Sequence, residues 1–406
     1  MNPLSGKRIL IGLTGGIACY KTAELVRRLQ DQGAMITVAM THAATQFVTP
    51  TTFQALSGNP VYTETLDDRM ENSMAHINLS RQADLILIVP ASADFMAKLA
   101  HGLADDLLST LCLARGMCPL VVVPAMNREM WAHPATRRNA VQLQDDGVKL
   151  WGPGSGSQAC GEVGDGRMLE PAQIVFETQA FFQDKSLAGR QILVTAGPTQ
   201  EDIDPVRYIS NRSSGKMGYA IARAAWEAGA RVTLVSGPTA LEAPYGVERI
   251  NVKSGRQMHA HVMQLAPEQD IFISVAAVAD WHVSNAQPQK VKKTGAQGGL
   301  DLALSENPDI LAEVAALPNG PWCVGFAAET ENLHDYAEAK RKRKKIPLLV
   351  GNLAQETMES DQSRMVLFDE QGNHPLPLLD KPAAARRLIV EIANRINHPA
   401  SSGKSG

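Results

Sequence analysis

No two of the five cysteines, Cys19, Cys112, Cys118, Cys160 and Cys323, stand at CxxC spacing. Neither a zinc site nor a disulfide framework is therefore indicated. Reduced thiols in a cytoplasmic protein fit best. Long apolar runs are also missing: none approaches the roughly 20 residues of a membrane-spanning helix. Lys7-Arg8 before Ile9-Leu10-Ile11 has the outline of a leader peptide, but its apolar part is short and runs into Gly15-Gly16. It reads as a first strand. A formal net charge of -3 gives no electrostatic case for nucleic acid or an anionic membrane. The basic clusters lack the interleaved aromatics of a base-stacking groove. A GxGxxG dinucleotide fingerprint is absent as well. Gly12 and Gly15 are wrongly spaced for it, and Thr41 rather than an acid follows the second strand.

What is present starts twice. Leu4–Leu29 and Leu187–Gly218 each open on a Gly-basic-Ile-Leu strand and pass through a loop into a helix. Apolar runs at Ile9–Gly12, Met35–Met40, Leu85–Val89, Leu120–Val123 and Val148–Trp151 alternate with helical patterns, which predicts a parallel sheet covered on both faces. Trp151–Met168 is dense in glycine and reads as a mobile loop or flap rather than an element. A helix over Pro171–Phe182 and a linker over 183–187 follow. The scheme then repeats, with strands at Ile192–Ala196, Arg231–Val235, Ile271–Ala277, Trp322–Phe326, Leu348–Val350 and Met365–Phe368. The division expected is therefore 1–182, a linker over 183–187, 188–397, and a disordered tail over 398–406.

Candidate chemistry falls at strand ends, where α/β sites lie. Thr14–Ala18 can hold a phosphate on its backbone N–H groups or be a tight turn with no ligand; its pattern suits a mononucleotide such as FMN better than NAD. Pro90–Asp94 and Pro124–Trp131 end later strands, although Met126-Asn127 could simply cap the next helix. His76 reads by itself more readily as a packed or surface imidazole than as a catalytic group. Cys160 alone among the cysteines sits in the glycine-rich segment, where a thiol can approach a substrate and donate a proton or remain an inert surface group. Ser214-Gly215-Lys216-Met217 fails the Walker A pattern. Arg207, Asn211 and Arg212 crowd a loop able to contact an anion. The runs Lys290–Lys293 and Lys340–Lys345 are either solvated faces or a triphosphate-neutralising pair.

Seven motifs occur in one order: GGIAxYK, PAMNxxMW, GSQACG, DPVRYISNxSSGKMG, AAVAD, KxKK and NPDI. Together they closely resemble the bifunctional phosphopantothenoylcysteine decarboxylase / phosphopantothenate–cysteine ligase family of coenzyme A biosynthesis, from about Leu4 to Asn394. The resemblance implies an α/β chain of two Rossmann-like or flavodoxin-like domains with mainly parallel sheets covered by helices. It implies an FMN-dependent decarboxylase first. There a flavin oxidises the substrate's cysteinyl thiol to a thioaldehyde, the carboxylate leaves, and the enethiol is reduced with a thiol supplying the proton. His76 then matches the family's active-site histidine and Cys160 its proton donor. Asn127, beside Met126, binds the substrate carboxylate, and Gly15, Gly16, Ile17, Thr41, Phe47, Ser92 and Ser109 contact the flavin.

A CTP-dependent ligase is implied second. It activates 4'-phosphopantothenate as an acyl-cytidylate, which the amine of L-cysteine attacks. Asn211 matches the residue handling that intermediate, and Lys290 the lysine needed for cysteine transfer. Asp280, Lys290, Asn307, Pro308, Asp309, Ile310, Phe326, Lys340 and Lys344 match nucleotide-site positions. Arg207 matches a residue near a dimer contact. Mg2+ is expected with the triphosphate, its ligands unassigned. Small molecules are the expected partners, with neither nucleic acid nor membrane. The expected homo-oligomer has trimeric decarboxylase contacts and dimeric ligase contacts. Two positions depart from the family: Asp105 where Asn is usual, and Leu353 where Asp is expected.

Overall fold

A computed structural model describes residues 2–65, 75–159, 161–292, 300–329, 332–353 and 361–398. The chain divides into two compact units, Met1–Phe182 and Gln183–Gly406. Each is α/β.

In the first unit, β1 (Arg8–Leu13), β2 (Met35–Met40), β3 (Val61–Tyr62), β4 (Leu85–Ala91), β5 (Leu120–Pro124) and β6 (Lys149–Leu150) form a sheet of order β3-β2-β1-β4-β5-β6. Every pairing in it is parallel. The sequences of β4 and β5 are apolar without alternation because both faces are covered, and both strands are buried throughout. Ile9, Ile11 and Leu13 enter the apolar layer on one face, and Leu10, Ile86 and Ile88 that on the other. The helix Cys19–Asp31 turns Leu25, Val26 and Leu29 into the first layer. Strand order reverses between β1 and β4, so the loops leaving these two strands diverge and open a crevice at their carboxyl ends.

Two expectations need correction here. The glycine-rich segment contains an antiparallel hairpin, β7 (Gly154–Ser157) with β8 (Val163–Arg167). Its alternating glycine and serine give no apolar period, and backbone pairing holds it instead. The strand expected over Val148–Trp151 shrinks to Lys149–Leu150 at the sheet edge.

In the second unit, β9 (Gln191–Ala196) is followed by a hairpin of β10 (Gln200–Asp202) and β11 (Tyr208–Ser210). Then come β12 (Arg231–Ser236), β13 (Glu248–Asn251), β14 (Ile271–Ser274), β15 (Trp281–Val283), β16 (Leu304–Glu306), β17 (Trp322–Glu329) and β18 (Leu348–Leu353). The last strands are β19 (Gln362–Ser363), β20 (Val366–Asp369), β21 (Gly372–Pro375) and β22 (Leu379–Asp380). The main sheet has the order β13-β12-β9-β14-β17-β18-β20-β21. It is parallel through β18, after which β20 and β21 run antiparallel. The short ladders β15-β16 and β19-β22 lie outside it. Strand order again reverses, this time at β9 and β14. Leu187, placed in the expected linker, is buried in the second unit's core, and its N–H donates to the Ala228 carbonyl.

Among the described residues no helix is long and apolar enough to cross a membrane.

Candidate functional site

Each unit carries cavities at its strand-order reversal. In the first, a cavity of about 630 Å³ is lined by Gly15, Gly16 and Ile17 after β1, Ser92 after β4, and Met126 and Asn127 after β5. Gln158 and Arg167 of the hairpin complete it. Its size is that of a small-ligand or cofactor site. Thr14 fixes the mouth: its hydroxyl donates to the Pro90 carbonyl at 2.8 Å and accepts from the Ser92 N–H at 2.8 Å. A side chain at Gly15 would put its Cβ 2.6 Å from that of Ala43, whereas Gly16 faces open space. The loop therefore runs close to the protein on one side and offers bare backbone on the other, a cradle suited to phosphate.

Asn127 caps the helix Arg128–Ala132, its Oδ1 accepting from the Glu129 N–H at 2.8 Å. Its Nδ2 donates to Glu162, which follows the turn of the hairpin. The Met126 N–H donates to the Gly166 carbonyl at 2.9 Å, tying β8 to the same strand end. Lys21 and Arg167, both in the lining, each meet Glu170 at 2.8 Å. The Lys21 ammonium, against the opposing effect of burial, holds the Glu170 carboxyl below its ordinary value.

Of the seven expected flavin positions, Gly15, Gly16, Ile17 and Ser92 line this cavity. Thr41, Phe47 and Ser109 do not. Thr41 caps the short helix His42–Thr45, and buried Ser109 is engaged in a capping box with Asp106. Phe47 is half exposed. His76 lies on the helix Ala75–Gln82, and its side chain is outside the described residues. Cys160 also lies outside them. Asp105 bonds Lys98 at 2.8 Å on the surface. The Leu353 side chain is outside the described residues. Sequence reading missed Lys21 and Arg167 as lining groups. The terminal Lys of GGIAxYK was the available signal for the first, and none marked the second.

The second unit has two cavities that share Ala276, Val278, Phe326 and Lys340. The smaller, about 550 Å³, brings together Asp280, Asn307, Pro308, Asp309, Ile310, Phe326, Lys340 and Lys344. Asn307 Nδ2 donates to the Ala279 carbonyl at 2.8 Å, which leaves Oδ1 as a buried acceptor without a partner among the described residues. Such an atom asks for an N–H from a ligand. Lys344 pairs with Asp309 at 2.7 Å. Burial raises the Asp309 carboxyl, but the Lys344 bond and the helix N–H of Ala312 outweigh it, and the group ends below its ordinary value.

The larger cavity, about 880 Å³, is lined by Asn211 through Gly218, by Val275–Val278 and by Lys340. The helix Lys216–Glu227 starts there on Gly215, with no side-chain cap. Its first turn thus presents N–H groups and a positive dipole end. Gly218 permits this placement, since a Cβ there would lie 2.5 Å from Ala196 Cβ at the end of β9. Asn211 Nδ2 donates to the Ala277 carbonyl at 3.1 Å. Lys290 does not join either cavity; it lines a separate one of about 500 Å³ with Ile203 and Val283. Arg207 is bound internally to Asp204 and to the Val291 carbonyl, and holds the Asp204 carboxyl well below the usual range. Among the described residues no group of three or more His, Cys, Asp or Glu is placed to hold a metal.

Comparison with known proteins fits this division. The Flavoprotein family model matches residues 2–183, and the DNA/pantothenate metabolism flavoprotein C-terminal domain matches residues 187–396. The class is a flavoprotein fused to a pantothenate-metabolism domain. The chain is 48% identical over 402 residues to the coenzyme A biosynthesis bifunctional protein CoaBC of Vibrio vulnificus strain YJ016, covering 98% of this chain and 100% of that protein. It is 49% identical to the proteins of the same name from Vibrio cholerae, over 96% of this chain and 98% of that one, and from Escherichia coli K12, over 97% and 98%. The chain belongs to the family of bifunctional coenzyme A biosynthesis proteins.

Proposed function

We propose that the chain performs two consecutive steps of coenzyme A synthesis, ligation in the second unit and decarboxylation in the first. The observation that carries this reading is the presence of separate strand-end cavities, one in the flavoprotein-matched unit and a connected pair in the pantothenate-matched unit. In the ligation, a carboxylate oxygen of 4'-phosphopantothenate attacks the α-phosphorus of CTP and the bond to the β-phosphate breaks, releasing pyrophosphate. The amine of L-cysteine then attacks the acyl carbon, CMP departs, and the amine loses a proton.

The residues support these steps. Asn307 Oδ1 suits the exocyclic amine of cytosine, and Lys340 and Lys344 suit phosphate oxygens. Asn211, fixed on Ala277, holds the acyl-cytidylate. Lys290 and Arg207, away from the two cavities, serve the cysteine step and a dimer contact respectively. Mg2+ enters as the counterion of the triphosphate.

In the first unit the Thr14–Ala18 backbone, Ser92, Lys21 and Arg167 suit the phosphate and ring edges of FMN. When bound, FMN supplies a reversible two-electron acceptor. Asn127 orients the substrate carboxylate by offering it the Nδ2 donor now given to Glu162. Cys160 delivers the final proton, and His76 acts in the same reaction. Exposed Ile17 and Tyr20 at the cavity supply apolar surface for trimer contacts of this unit. The assay is a separation of the two reactions in one preparation: CTP-dependent pyrophosphate release, and carbon dioxide release from supplied 4'-phosphopantothenoylcysteine. Loss of either one in the intact holoenzyme removes that half of the proposal.

A further inference from the structure

Two side chains of the larger second-unit cavity have no role in the steps above. Ser363, on β19, is 1% exposed and lines the cavity, and its hydroxyl has no partner among the described residues. Lys381, the first residue of the C-terminal helix Lys381–Asn397, is 9% exposed and lines the same cavity. Among the described residues its ammonium makes neither an ion pair nor a hydrogen bond. The fold holds the two together through the antiparallel pairs Gln362–Asp380 and Ser363–Leu379. The Lys381 N–H also donates to the Asp361 carbonyl at 3.0 Å.

The corner is electropositive. Lys216 also lines the cavity, and its ammonium is bonded to Asp361 at 2.7 Å. Burial, and then the charge of Lys216, push the Lys381 ammonium below the ordinary lysine value, with Asp361 opposing them. The helix itself offers little beyond its dipole, because Asp380 already takes the Ala383 N–H and Pro382 has none. A buried ammonium beside a second lysine and an orphaned hydroxyl is costly unless a ligand completes it. A tetrahedral anion does so, accepting from the hydroxyl and neutralising the ammonium.

We infer that Ser363 and Lys381 form the subsite for a terminal phosphate carried by a ligase substrate, either the triphosphate end of the nucleotide or the phosphate monoester of the acyl substrate. The inference rests on the ligase reading given above and assigns it a phosphate anchor. No bond changes at the subsite when it holds the monoester. When it holds the triphosphate end, it stabilises the charge that leaves with pyrophosphate.

Calorimetric titration of the full-length, FMN-loaded protein tests this. The ligands are CTP, CMP, 4'-phosphopantothenate and unphosphorylated pantothenate, each against wild type, Ser363→Ala, Lys381→Gln and Lys381→Arg. Lys381→Gln is expected to weaken one phosphorylated ligand about tenfold or more, and Ser363→Ala a few-fold, in line with loss of a charge-assisted and a neutral hydrogen bond. Lys381→Arg should recover part of the loss. A loss for CTP with CMP within twofold assigns the subsite to the nucleotide. A loss for 4'-phosphopantothenate with pantothenate unchanged assigns it to the acyl substrate. Unchanged affinity for both phosphorylated ligands overturns the inference, as does equal weakening of CTP and CMP with 4'-phosphopantothenate unaffected. Retained binding of the ligand that the substitution does not weaken, with an unchanged thermal unfolding transition, reports folding of the second unit; should Lys381→Gln fail that check, the smaller change Ser363→Ala decides. Wild type that neither binds CTP nor releases pyrophosphate sinks the ligase reading itself, a result distinct from inert variants of an active wild type.

Discussion

The two units solve one architectural problem with different charge arrangements. Both place their cavities where a parallel sheet reverses strand order. In the first, the two lining cations, Lys21 and Arg167, already share Glu170, and the remaining walls are largely glycine, alanine and methionine. In the second, Lys216, Lys340, Lys344 and Lys381 line two connected cavities. Lys216 pairs with Asp361 and Lys344 with Asp309, two separate carboxylates. Strand topology thus places the site, and the side chains at the strand ends choose the ligand: a flat, weakly charged body in one unit, a polyanion in the other.

That contrast is sharpest where one unit can be disabled alone. Asn211→Asp sets a carboxylate against the Ala277 carbonyl and against an anionic intermediate. Ligation is expected to fall about a hundredfold, the scale of losing one electrostatic anchor at a reacting centre, while carbon dioxide release from supplied intermediate is unchanged. Equal loss of both activities would mean misfolding rather than a local effect. Gly15→Ala is the converse. Its Cβ, 2.6 Å from Ala43, shifts the loop, and flavin absorbance of the purified protein should fall with decarboxylation by about tenfold. CTP-dependent pyrophosphate release should persist.

Cys160→Ser sharpens the first half further. Carbon dioxide should still form, but the product by mass should be two hydrogens short of the wild-type product. Normal product at normal rate removes Cys160 from the proton step. The smallest expected effect concerns Asp309. Its folded carboxyl lies below the unfolded value of about 4, so the Lys344 pair stabilises the second unit above that value and the contribution is lost as pH falls through the folded value. Asp309 is half exposed, which limits the pair to roughly 1 kcal/mol or less. Thermal unfolding of Lys344→Gln should therefore match wild type in acid and fall slightly below it near neutrality. A larger gap in acid than at neutrality would contradict the assignment.

Much of this was legible in the chain because buried parallel strands announce themselves. Leu85–Val89 and Leu120–Val123 are uninterrupted apolar runs, and both became central strands. The same logic placed Gly15, Ser92 and Asn127 at strand ends, whereas the grouping of Asn307–Ile310 with Asp280 came from the family resemblance alone. The hairpin of β7 and β8 was not legible, since glycine and serine pair through backbone alone and the contact that fixes it, Met126 to Gly166, spans distant sequence. Nor could sequence separate Lys290 from the nucleotide cavity, because a basic run carries no information about which wall it joins. Ser363 and Lys381 show the same limit: neither lies in a motif, and only the ladder between β19 and β22 brings them to Asn211 and Lys216.

The central claim is that ligation and decarboxylation run in separate cavities of one chain. Its most direct test is incubation of FMN-stripped protein with 4'-phosphopantothenate, L-cysteine, CTP and Mg2+, followed by mass analysis, then FMN addition. The expected record is accumulation of 4'-phosphopantothenoylcysteine without flavin and its conversion to 4'-phosphopantetheine on adding it. Formation of 4'-phosphopantetheine before FMN is restored, or failure of ligation when flavin is removed from a folded protein, would contradict it.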